Sequence, residues 1–167
     1  GLVLGPGHEI RLLAEDTGAG VAQTRLRINE GSWQSYRDAI TLGQSGSYTL
    51  SYASADAVGN EEAPRSFSFL VDISPPTISL IYSRPPRGES ASGALRLAQG
   101  AIIAANATDR HTELERLQYR INDGAFQEYT EPLRALPEEG AFRLSFRATD
   151  LAGNIAEQTG TFMIEKT

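Results

Sequence analysis

His111 stands nearest to a reactive constellation, with Asp109, Glu113 and Glu115 around it. A catalytic dyad needs a nucleophile and an orienting partner in three dimensions, and one loop histidine supplies neither. It reads as a solvated loop residue, and His8, the other histidine, has still less context. The chain has no cysteine, which removes thiol catalysis, Cys-zinc centres and disulfides together. No nucleophile elbow, phosphate-cradling glycine loop or zinc signature occurs. The sequence therefore assigns no catalytic residue, no cofactor and no metal ligand, and it reads as a non-enzyme.

Two further groups deserve a chemical reading. Asp16, Asp56, Asn60 and Asp72, and separately Asp109, Asp150 and Asn154, are hard oxygen donors of the kind calcium takes. Calcium wants six to eight oxygens, however, and no dense run such as Asp-x-Asp-x-Asp is present. The spacing Asp-x-x-Gly-Asn is also that of a tight turn: Asp accepts its downstream amides, Gly supplies positive φ, and Asn tolerates the left-handed region. The turn is the expectation. The aromatic set Trp33, Tyr36, Phe126 and Tyr129 would suit a sugar-stacking platform. It would equally fill a core or staple a hairpin to the next strand. That arrangement occurs twice, and a repeated core position needs the same filling twice, so architecture is expected.

The duplication extends well beyond the aromatics. Arg27-Ile28-Asn29-Glu30-Gly31-Ser32-Trp33-Gln34-Ser35-Tyr36 returns as Arg120-Ile121-Asn122-Asp123-Gly124-Ala125-Phe126-Gln127-Glu128-Tyr129, an offset of 93. Asp16 maps to Asp109 at the same offset, which places Gly18 against His111 and leaves that histidine outside the shared unit. Downstream, Asp56 to Asn60 maps to Asp150 to Asn154 at 94. The chain is two copies of one unit, with expected domains at 1–74 and 75–167.

Elements follow from the periodicity. Ile10, Leu12 and Ala14 alternate with polar or outward positions, as do Leu26 and Ile28, Tyr48, Leu50 and Tyr52, and Phe67, Phe69 and Val71. In the second copy the sets are Leu117, Tyr119 and Ile121, and Phe142, Leu144 and Phe146. Period two reads as half-buried strands. Turn signals lie at Asn29 to Gly31, Gly43 to Gly46, Asn122 to Gly124 and Glu138 to Gly140. Pro75 and Pro76 end the first copy's ladder, and Thr77 to Tyr82 alternates again to open the second. The first copy has no equivalent of that opening strand, so its own is expected upstream or missing. Ser83 to Gly93, rich in Arg, Pro and Ser, is likewise unique to the second copy and reads as a variable connection.

These blocks resemble the tandem bacterial immunoglobulin-like (Big-type) domains of large surface and secreted proteins. Three motifs carry the resemblance: the Arg-Ile-Asn-x-Gly-x-aromatic-Gln-x-Tyr hairpin; the Gly-x-aromatic-x-Leu-x-aromatic strand running into Asp-x-x-Gly-Asn, at Gly46 to Asn60 and Gly140 to Asn154; and the exit Phe-x-Val-Asp-x-x-Pro-Pro at Phe69 to Pro76. The resemblance implies an all-β chain of two tandem Ig-like antiparallel sandwiches. It implies a non-catalytic spacer, display or adhesin segment of a larger protein outside the cytoplasm, with an accessory carbohydrate- or protein-binding module of a secreted hydrolase as the alternative. A protein or glycan is the class of partner that fits. Nucleic acid is not expected, because the formal net charge is −6 and phosphate binding needs concentrated basic surface. No apolar run approaches the roughly 18 to 20 residues of a membrane-spanning helix. The short runs, with Arg, Ser, Thr and Gln on alternate positions, also argue against a membrane barrel.

Overall fold

The structure, a computed structural model, describes residues 1–134 and 136–166. The chain divides into two compact units, Gly1–Ile73 and Ser74–Thr167. In unit 1 the strands are β1 (Leu2–Leu4), β2 (Val21–Ile28), β3 (Gln34–Ser35), β4 (Gly46–Asp56) and β5 (Arg65–Val71). In unit 2 they are β6 (Thr77–Tyr82), β7 (Leu95–Ala98), β8 (Ile103–Thr108), β9 (Leu114–Ile121), β10 (Gln127–Glu128), β11 (Gly140–Asp150) and β12 (Ile155–Glu165). The described residues contain no helix, so none is long and apolar enough to cross a membrane.

Unit 2 shows the complete arrangement. One sheet runs β10-β9-β11-β12-β7, and the opposing layer is the antiparallel pair β6-β8, extended by a bridge between Ile103 and Leu133. Phe142, Leu144 and Phe146 on β11, Phe162 and Ile164 on β12, and Leu97 and Ile103 from the flanking strands make the buried core. Ile78, Leu80 and Tyr82 of β6 pack against it. Their polar neighbours face out, as period two requires when one side of a sheet is buried. The fold is an all-β, immunoglobulin-like sandwich.

Unit 1 repeats the larger sheet strand for strand, in the order β1-β5-β4-β2-β3, over a core of Ile10, Leu26, Leu50, Phe69 and Val71. In both units the first strand of this sheet pairs parallel with the last. Leu2 lies opposite Phe69 in β1 and β5, and Leu95 lies opposite Phe162 in β7 and β12. The opposing layer of unit 1, however, is reduced to one bridge between Ile10 and Ile40. The strand expected through Ile10, Leu12 and Ala14 does not form, and residues 11–16 are irregular. The alternation is there, but the partner is not. In unit 2 the matching segment is β8, held by β6, and unit 1 has no counterpart of β6 to complete the ladder.

Candidate functional site

The hairpin residues repeated in both copies serve the fold in matching ways. Asn29 and Asn122 close their turns with positive φ, 53° in each case. Asn29 donates its amide to Thr49 O at 2.7 Å, and its Oδ1 accepts the Thr49 amide at 2.9 Å. Asn122 makes the same pair with Arg143, at 2.8 and 2.9 Å. Each turn is thereby tied to the neighbouring central strand. Asn is among the few side chains that tolerate this conformation. Beyond the turns, Tyr36 and Tyr129 are half-buried and pack against their respective cores. The Tyr36 hydroxyl accepts the Leu12 amide at 3.2 Å, and the Tyr129 hydroxyl accepts the Ala105 amide at 3.0 Å. Each phenol thus spans from one layer of its unit to the other, satisfying an amide that lacks a strand partner.

Trp33 and Phe126 do not fill the cores. Trp33 is 36% exposed, with the Arg25 and Arg27 guanidinium carbons 5.9 and 5.3 Å from its ring centroid. Phe126 lies under Arg120 and Arg147 at 4.7 and 4.0 Å. Both are outer-face clamps, in which the ring quadrupole attracts the cation and the arginine stems cover the ring. The Nε atoms of Arg27 and Arg120, equivalent in the two copies, are buried without a hydrogen-bond partner. Arg25 and Arg27 stand two apart on β2, whereas Arg120 and Arg147 come from β9 and β11, so the second pair is brought together only by the sheet.

The carboxylates form the second repeated network. Asp56 Oδ1 accepts the amides of Val58 (3.0 Å) and Asn60 (2.7 Å), and Oδ2 accepts Asn60 Nδ2 at 2.6 Å. These bonds, that from the Asn60 side chain first, hold the Asp56 carboxyl below its ordinary value of 3.8. Asp150 accepts Ala152, Asn154 and Asn154 Nδ2 in the same pattern, each at 2.9 Å. Gly59 and Gly153 have φ of 92° and 91°. The difference is burial. Asp56 is half-exposed and Asn60 exposed, whereas Asp150 is 0% and Asn154 6% exposed.

Upstream, Asp16 Oδ1 accepts the Gly18 amide at 2.7 Å, and Asp109 Oδ1 accepts the His111 amide at the same distance and that of Thr112 at 3.0 Å. His111 thus enters through its backbone. In unit 2 the carboxylates of Asp109 and Asp150 approach within 4.8 Å, with Asn154 bonded to Asp150. Asp72, at the end of unit 1, is fully buried, its amide donating to Leu4 O at 2.9 Å.

His8 has a role that the sequence did not signal. Its Nδ1 lies 2.9 Å from Gly5 O, and its Nε2 accepts the Leu42 amide at 3.0 Å. That pairing needs the neutral ring with the proton on Nδ1. The imidazole pins the chain leaving β1 to the segment beyond Ile40. A cleft of unit 1, about 770 Å³ and open to solvent, is lined by Glu15, Asp16, Asp56, Glu61 and Glu62 together with Arg65.

No protein-family model matches the chain, and no curated protein matches it. Among solved structures it is similar to the fibronectin(III)-like modules of CbhA from Clostridium thermocellum, at 16% identity and a TM-score of 0.44. The match covers 99% of this chain and 90% of that one. A likeness at that level says nothing of what this chain does.

Proposed function

We propose that the chain is a non-catalytic spacer or display segment, or an adhesin segment, of a larger bacterial surface or secreted protein, built of tandem Big-type modules at 1–74 and 75–167. One observation carries this reading. The residues that recur in both copies make internal bonds in both: Asn29 and Asn122 tie turns, Tyr36 and Tyr129 cross between layers, and Asp56 and Asp150 close the same connection. A duplicated binding site would instead keep such groups turned to solvent. Folds of this kind host many roles, so the assignment rests on what the side chains do.

The test compares stability with binding. Tyr36→Ala and Tyr129→Ala should each lower a melting transition while leaving any glycan or protein binding by the folded fraction intact. Tyrosine variants that melt normally and lose a ligand would reverse the reading. The accessory binding-module alternative has one observation in its favour, the partly exposed face of Trp33. Trp33→Ala that abolishes glycan binding without altering melting would establish it.

A further inference from the structure

Five asparagines occur in the chain, and four of them form two repeated pairs. Asn29 and Asn122 tie their hairpin turns, and Asn60 and Asn154 donate to the carboxylates of Asp56 and Asp150. The fifth, Asn106, stands outside the repeat, with Leu13 in its place in the first copy. It lies within β8, a setting in which asparagine is disfavoured. Its side chain is exposed and makes no hydrogen bond among the described residues. The fold gains nothing from this residue type here.

Asn106-Ala107-Thr108 is the one Asn-x-Ser/Thr triplet in the sequence, and that spacing is the acceptor pattern for asparagine-linked sugar. Period two sets Asn106 and Thr108 side by side on the outer face, both exposed, and turns Ala107 inward at 7% exposure. Across the ladder Asn106 lies opposite Ser79, Thr108 opposite Thr77, and Ala104 opposite Ile81. None of these side chains is charged, and those directly beside Asn106 are small enough to leave room for a bulky group. Ile81 differs from the rest, being large, apolar and 60% exposed. It sits one diagonal step from Asn106, a separation of roughly 7 to 8 Å that a sugar ring can bridge.

We propose that Asn106 is a glycosylation site, carrying a neutral sugar whose first ring lies over Ser79 with its apolar face toward Ile81. The donor is a sugar activated at its anomeric carbon as a phosphate or diphosphate ester. Asn106 Nδ2 forms a bond to that carbon while the bond from the carbon to the ester oxygen breaks. The phosphate leaves with the electron pair, and one amide proton passes to a base of the transferase. The backbone fixes the order of events. Ile103 exchanges both bonds with Leu133, at 3.2 and 2.8 Å, and the Ala105 amide donates to the Tyr129 hydroxyl. Successive residues of a strand present their amides to opposite edges, so those of Ala104, Asn106 and Thr108 face β6. Held along both edges, the triplet cannot bend into a transferase cleft, and transfer precedes closure of the β6-β8 ladder. The site stands on unit 2 alone, whichever role the chain serves.

Peptide mapping of the protein recovered from the cells that make it tests the proposal. Trypsin releases residues 97–110, in which Asn106 is the sole asparagine. That peptide should exceed its unmodified mass by whole sugar residues, and fragmentation should place them on Asn106. Thr108→Ser should keep the modification, whereas Thr108→Ala and Asn106→Gln should lose it. Asn106→Gln should leave the melting of the unglycosylated chain unchanged. Modified protein already present in the cytosol would identify a nucleotide-linked donor, and modification confined to exported protein a lipid-linked one. In an extract of the same cells, a synthetic peptide of residues 103–109 should accept sugar while the unglycosylated folded chain does not. Nuclear Overhauser contacts should join the first sugar to the Ile81 methyl groups. An unmodified peptide, or sugar on Thr108, overturns the site. Sugar retained in Thr108→Ala overturns the triplet as the recognition element. Equal transfer to peptide and folded chain overturns the order of events, and absence of the methyl contacts overturns the role of Ile81.

Discussion

Each repeated residue has a twin whose loss should have the same kind of effect in the other unit. Tyr36→Ala and Tyr129→Ala remove a half-buried ring and a hydroxyl that satisfies an amide, and should each cost about 2 to 4 kcal/mol. Tyr→Phe variants, losing the hydroxyl alone, should cost about 1 kcal/mol. Chemical denaturation of the four variants separates ring from hydroxyl. Acid should act on Asp56 and Glu165. Asn60 holds Asp56 below its ordinary 3.8, and Arg96, bonded to both oxygens at 2.7 and 3.0 Å, holds Glu165 below its ordinary 4.5. A carboxyl whose folded-state value is depressed contributes stability above its unfolded value and loses it as pH falls through the folded one. Melting temperature should therefore decline below about pH 4.5, and Glu165→Gln should flatten the upper part of that decline. In unit 2 the nearby charges of Asp109 and Asp150 repel. In the presence of chelator, Asp109→Asn should raise the melting temperature, since the amide keeps the oxygen that accepts His111 and Thr112. Calcium that stabilises the parent chain and not the variant would place a cation at those oxygens. The Asp-x-x-Gly-Asn turns were legible because Asp, Gly and Asn each have a local backbone use. The burial of Asp150 and the place of His8 were not, since both depend on segments distant in sequence.

At the level of elements, alternation located β4, β5, β6, β9 and β11, because a strand with one wet face shows its period directly. It also marked residues 10–14, where the structure has a single bridge. A period records what the side chains suit and is silent on whether a partner strand is present to take the backbone bonds. The parallel strands β1 and β7 were missed for the opposite reason, as three or four residues are too few to show a period. The irregular backbone of residues 11–16, set against the ladder that β6 gives β8, predicts an asymmetry between equivalent positions. Proline removes an amide donor. Leu13→Pro should leave the melting of the free chain nearly unchanged, while Asn106→Pro, whose amide faces β6, should lower it clearly. Scanning calorimetry of the two variants checks this. Equal losses would mean that residues 10–15 already have a partner in solution.

For the molecule as a whole, two separate cores predict two thermal transitions, with unit 1 melting first because one layer of its sandwich is a single bridge. Leu50→Ala and Leu144→Ala, both at fully buried positions, should each cost about 2 to 5 kcal/mol. For a unit of this size each kcal/mol moves the midpoint by roughly 4 to 8 °C. The first variant should shift the lower transition alone and the second the upper alone. A single transition moved by both would mean that the units fold as one. The parallel pairing of β1 with β5, and of β7 with β12, has a mechanical consequence. In each unit an early strand lies beside the last, running the same way. Tension applied through the chain ends draws the two past each other, loading their backbone bonds side by side in shear instead of peeling them one at a time. In unit 2 the Arg96–Glu165 pair crosses that same junction. Under traction β7 and β12 form a clasp that opens at high force, and Arg96→Ala should lower its rupture force in single-molecule pulling while leaving the clasp between β1 and β5 as strong as before.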